Sequence, residues 1–141
     1  MNLVRIWWAL LWRSIVIVFF AGAIVALFQD QLPQTGELPR LKRFLMDVIC
    51  TTMYVSALTS NQLSPIKGIF GKRLGWPDQA WIRTSHYFAI YYSILAILNG
   101  AAWIFSGPDL YHTMILIHMP VQLLFPVVVA MKIVSLVDHH E

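Results

Sequence analysis

The sequence predicts an all-α membrane protein: four transmembrane helices in one bundle, forming a single polytopic domain over residues 1–141. Three observations predict it. The chain is 58% hydrophobic and 12% charged, whereas soluble domains run at about 45–50% apolar and about 25% charged. The apolar residues come in blocks separated by short polar connections. Six Trp and five Tyr are present, and amphipathic rings favour the membrane–water interface.

The first helix is expected over residues 5–28. Its uncharged run, Ser14 to Phe28, is 15 residues long, short of the roughly 17–25 that a spanning helix needs. The helix therefore starts before Arg13, whose long stem is expected to snorkel to the headgroups. A cleaved signal peptide is the competing reading, because a basic start precedes an oily run; the extended, Trp-rich beginning argues against it. Residues 29–43 read as a loop, with two prolines, a glycine and mixed charge.

The second helix, residues 43–60, is the weakest span. Thr52, Ser56 and Thr59 recur at helical spacing, which suggests a short membrane helix packed inside the bundle; a re-entrant or interfacial segment is the alternative. Residues 60–83 form a second polar connection containing "GKRLGWPDQAW". Pro77 and Asp78 suit a helix start, and Trp81 suits the headgroup level. The third helix is expected over 82–106, a tight turn at "SGPD" over 106–109, and the fourth helix over 110–137. Pro120 and Pro126 should bend that last helix, with neighbouring helices re-satisfying the freed carbonyls.

Lysine and arginine set the direction. Arg5, Arg13, Lys67, Lys72, Arg73, Arg83 and Lys132 fall on one side, and Arg40, Lys42 and Arg43 on the other. The positive-inside rule therefore puts both termini and the second connection in the cytoplasm. The net charge of +3 is then a topology signal, with no nucleic-acid partner implied. Lys67, Lys72 and Arg73 could also meet anionic lipid heads; ordinary positive-inside charge explains them more simply.

Ser85, Ala89, Ser93, Ala96 and Gly100 share one face of the third helix. Small residues let membrane helices approach closely, so this is the candidate packing face, with large aromatic and aliphatic residues expected opposite. The turn near residue 108 makes the last two helices an antiparallel hairpin. Asn99 and His118 then lie about equally far from it, roughly 10–15 Å by helix rise, and are the candidate intramembrane polar pair. Asp47, Asn99 and His118 could together serve a proton or quinone path, since ionisable residues within spans are functional candidates. Structural hydrogen bonding is the simpler role, with Asp47 near the headgroups.

Little else in the sequence points to chemistry. Cys50 is the only cysteine, so an intrachain disulfide and a thiolate cluster are excluded. No nucleophile–base pair, phosphate loop or zinc spacing is visible, and neither catalytic nor metal-binding residues are assigned. His139 and His140 read as a solvated end. A haem needs two axial ligands at matching depth, and His86 and His118 lie on the order of 15–20 Å apart along the membrane normal by helix rise. A haem or quinone shared with a partner subunit is the form of cofactor site that this spacing allows. A small transporter is weakened by the lack of an inverted repeat.

Gly71, Lys72, Leu74, Pro77 and Trp81, followed by Tyr91, Tyr92 and Asn99, give the chain a recognisable pattern. Over roughly residues 47–130 it resembles the bacterial intracellular septation protein A family, small inner-membrane proteins. That family carries G-K-x-L-x-x-P-x-x-x-W, then a helix with paired aromatics and a later Asn. Phe88 and Tyr111 stand where the family tends to have Trp, the family's upstream Phe-Lys-Trp-Lys-Pro motif is not recognisable, and the chain has about one helix fewer at its N-terminal end. The resemblance implies a bacterial inner-membrane location and a non-enzymatic scaffold for envelope maintenance and division, in contact with other membrane proteins; a homo-oligomer is a separate expectation. The rival reading is an anchor or accessory subunit of a respiratory complex.

Overall fold

The computed structural model describes residues 3–59, 65–69, 71–105 and 108–138. Their regular structure is all helical: α1 (Leu3–Leu27), α2 (Leu38–Thr59), the short α3 (Pro65–Gly68), α4 (Asp78–Phe105) and α5 (Pro108–Asp138). Single 3-10 turns cover Gln29–Gln31 and Gly71–Leu74. Three helices are long and apolar enough to cross a membrane: α1, α4 and the Asp138 end of α5 from His112. At about 1.5 Å per residue, the 25 residues of α1 exceed a hydrocarbon core of roughly 30 Å. Their outer faces carry large apolar side chains such as Leu116, 76% exposed, and Phe105, 85% exposed. Water would not tolerate so continuous an apolar surface on a monomer.

α2 differs from these three. It begins at Leu38, inside the stretch expected to be loop, and brings Arg40, Lys42, Arg43 and Asp47 into the helix. Pro39 is no obstacle there, because a first-turn proline gives up a donor that has no intrahelical acceptor. The buried residues of α2 are Asp47, Cys50, Tyr54 and Ala57, a stripe stepping three, four, three. The hydroxyl residues Thr52, Ser56 and Thr59, which share the helical spacing, lie on the exposed side. Thr52 donates to the Val48 carbonyl, Ser56 to Met53 and Thr59 to Val55, all within their own helix. Pro108, expected in a turn, is the first residue of α5; the preceding residues 106–107 lie outside the described residues.

The most extensive helix contact joins α2 to α4; α1 touches α2 and α5, and α4 touches α5. The predicted small-residue face is used. Ser85, Ala89, Ala96 and Gly100 are buried and Ser93 is half-buried. A Cβ on Gly100 would come within 3.1 Å of the Phe44 ring of α2, so a larger residue there needs that ring to shift. On the α1 side, a Cβ on Gly22 would lie 3.3 Å from the Met46 methyl group.

The large aromatics expected on the opposite face of α4 are not there. Phe88, Tyr91 and Tyr92 are buried, because α4 meets α2, α5 and α3 around much of its circumference. The exposed side of α4 instead carries the aliphatic Ile90, Ile94, Ile97, Leu98 and Ile104.

The second connection is folded onto the helices rather than extended into solvent. Ile66 of α3 is fully buried, and α3 touches α1, α2 and α4. Arg13 does not snorkel outward. It is 4% exposed, donates through Nε to the Ile69 carbonyl and through Nη1 to the Ala9 carbonyl, both at 2.8 Å, and sits 4.3 Å from the Trp12 ring centroid. Trp81 is buried too, stacked on Trp76 with centroids 4.8 Å apart. Lys67 closes the segment by pairing with Asp78 at 2.8 Å.

Candidate functional site: the polar seam between α2, α4 and α5

Polar side chains converge where α2 and α4 pack. Asp47, the first buried residue of α2, is only 2% exposed. Its Oδ2 accepts a 2.6 Å hydrogen bond from Asn99 Nδ2. The bond exists because Asp47 heads the buried stripe of α2 while Asn99 adjoins Gly100, where α4 comes closest to α2. Arg43, one turn before Asp47, is within electrostatic reach of Asp47, Tyr91 and His118.

Further along the same interface the seam becomes aromatic. Tyr54 stacks on Phe88 at 5.3 Å and on Tyr92 at 5.8 Å. Phe125 of α5 stacks on Tyr91 at 4.1 Å and meets Phe88 edge-on at 5.3 Å. Such pairs add about 0.5–1.5 kcal/mol each beyond area burial. The hydroxyls of Tyr54, Tyr91 and Tyr92 are buried without a hydrogen-bond partner among the described residues, and so is His118 Nε2.

The predicted pair of Asn99 and His118 is not a hydrogen bond to a shared proton. Asn99 gives its amide proton to Asp47, and its neighbour across α5 is a cavity. Asn99 and His118 both line that cavity, together with Tyr91. The hydrogen-bond partner of Asn99 comes from α2.

The residues of the septation-like pattern divide by role. Gly71, Lys72 and Leu74 belong to the 3-10 turn. Pro77 precedes the first turn of α4, and its carbonyl accepts from the Ala80 amide at 3.0 Å. Trp81, Tyr91, Tyr92 and Asn99 are interior contacts of α4. The sequence reading missed Trp76 and Tyr54 as their stacking partners. Tyr54 was visible in principle, because it shares the Asp47, Cys50, Ala57 spacing.

Neither His86 nor His112 joins the seam. His86 is exposed and its Nδ1 lies 3.0 Å from the Ile82 carbonyl of its own helix; His112 is exposed; His139 and His140 lie outside the described residues. Among the described residues, His, Cys, Asp and Glu form no group of three that could hold a metal ion. Comparison with protein-family models, with curated proteins and with solved structures finds no match for this chain.

Proposed function

We propose that this chain is a non-enzymatic scaffold of the bacterial inner membrane, similar in role to the septation protein A family. It crosses the bilayer as a four-helix bundle with both termini in the cytoplasm, and supports envelope maintenance and division through contacts with other membrane proteins. The observation that carries this reading is the use made of the pattern residues. Trp81 stacks on Trp76, Tyr92 on Tyr54 and Tyr91 on Phe125, while Asn99 bonds Asp47. Each holds one segment against another, as expected of residues that fix a shape. The basic connection gains a defined form from the same framework, through Arg13 to Ile69 and Lys67 to Asp78.

In this topology α2 is the shortest crossing. Its 22 residues span about 33 Å at the usual rise, and Arg40, Lys42 and Arg43 reach the outer headgroups from its first turns.

The test is proximity in living cells. A photo-crosslinking residue at position 73 should yield adducts with division or envelope proteins, and a strain lacking the chain should show altered cell length or envelope permeability. A reporter fused at Gly75 should read as cytoplasmic. A detergent-purified protein with a Soret band that is lost in His118→Ala would overturn the scaffold reading in favour of a redox subunit.

A further inference from the structure

One face of α5 is covered by the chain's own helices over only half its length. Ile115, Met119, Gln122, Pro126, Val129 and Ile133 step four, three, four, three and four residues, which is the spacing of a knobs-into-holes seam on one side of a helix. Pro126, Val129 and Ile133 are buried inside the bundle. Towards the N-terminal end the same seam is open: Ile115 is 43% exposed, Met119 71%, and Gln122 half-buried.

Gln122 distinguishes this open half from an ordinary lipid-facing surface. It lies at the middle of α5 (Pro108–Asp138), roughly 20–25 Å of helix rise from either end, in a helix long and apolar enough to cross a membrane. Its carboxamide makes no hydrogen bond among the described residues, and its polar atoms are not sealed off from the surface. Its main-chain carbonyl loses its usual helix donor as well, because Pro126, four residues on, has no N–H. Exposed leucines need no partner in lipid, but an amide at that depth does, and acyl chains supply none.

A second copy supplies the complement. Copies inserted in one orientation and related by a two-fold axis along the membrane normal bring equal residue numbers to equal depth. A carboxamide carries both donor and acceptor, so two Gln122 side chains facing across that axis each give an N–H and each receive one. A different membrane protein would have to bring a polar group of its own to the same depth. We propose that this chain forms a homodimer in the membrane through the N-terminal half of α5, with Ile115 and Met119 packing on their counterparts and the two Gln122 amides hydrogen-bonded between them. The dimer stands whether or not the chain is a scaffold.

The experiment measures resonance energy transfer between donor- and acceptor-labelled full-length chains in phosphatidylcholine vesicles, over a range of protein-to-lipid ratios. Transfer should exceed that of random encounter and depend on acceptor fraction as a dimer requires. Gln122→Leu should weaken association about eightfold, the loss of two membrane hydrogen bonds of average strength. Leu124→Ala, on the opposite, exposed side of α5, should leave it unchanged. Oxidative cross-linking in native membranes, in a Cys50→Ala background, gives a second readout: Met119→Cys should yield a product of twice the chain mass and Leu124→Cys should not. Transfer at the random level, association indifferent to Gln122→Leu, or equal cross-linking from positions 119 and 124 would each overturn the proposal. A position-119 adduct of any other mass would overturn it in favour of a different membrane partner.

Discussion

Asn99 on α4 donates its side-chain amide to the buried carboxyl of Asp47 on α2, 2.6 Å away, and so joins the two most closely packed helices by a polar contact inside the apolar interior. Hydrogen bonds between membrane helices contribute about 0.6 kcal/mol on average, up to about 1.7, and bonds to an ionised group reach about 1.5–3. A double-mutant cycle on Asp47→Leu and Asn99→Leu should therefore give a coupling energy of about 1–2 kcal/mol, measured by unfolding in detergent. Asn99→Leu alone should be the more harmful single change, because it strands a buried carboxyl. Strict additivity of the two would show that the contact contributes nothing.

Gly100 sets how near α4 comes to α2. Its missing Cβ faces the Phe44 ring at 3.1 Å, and that ring stacks on Trp103 with centroids 5.9 Å apart. Gly100→Ala asks Phe44 to yield by a few tenths of an ångström. Gly100→Leu cannot be accommodated that way and should destabilise by about 1–3 kcal/mol, the usual range for overpacking. Pairing Gly100→Ala with Phe44→Leu should restore stability. Equal unfolding midpoints for wild type and Gly100→Leu would mean that the helices are free to separate.

What the sequence disclosed follows from what spacing can encode. The long apolar runs and the small-residue stripe on α4 were legible because each is a property of one helix. The partners were not legible. Arg13 finds its acceptor 56 residues away at Ile69, and no periodicity relates those positions. α2 was misjudged at its start because Pro39 and three basic residues look like loop, although a first-turn proline and long snorkelling stems suit a helix end. The inward turn of Phe88, Tyr91 and Tyr92 was hidden for a different reason. A helix surrounded on several sides has no single buried face, so the small-residue stripe marks the closest approach and not the whole interior.

Trp81 should matter to stability and not to an interface with headgroups. It is fully buried against Trp76, so Trp81→Ala should cost about 3–5 kcal/mol, as large aromatic truncations do, and Trp81→Phe considerably less. Thermal unfolding followed by circular dichroism in detergent separates the two. A Trp81→Ala protein as stable as wild type would place that ring outside the packed core.

Arg13 should control the accessibility of the second connection. Its Nε and Nη1 reach two different main-chain carbonyls, those of Ile69 and Ala9. Lysine has a single nitrogen and cannot copy that fork from one position, so Arg13→Lys should release the connection nearly as fully as Arg13→Met. Trypsin cuts after Lys and Arg, and Lys67, Lys72 and Arg73 all lie in this segment. Proteolysis proceeds through the open form, and loss of a hydrogen bond from a charged group shifts that opening by about 1.5–3 kcal/mol, which is about ten- to hundredfold. Cleavage between residues 67 and 73 should therefore accelerate by that factor in inverted membrane vesicles, where the cytoplasmic face is outward. Asp78→Asn removes only the exposed partner of Lys67 and should change the rate less than threefold, since surface ion pairs contribute about 0–1 kcal/mol. Unchanged cleavage in both Arg13 variants would mean that the buried guanidinium does not hold the loop.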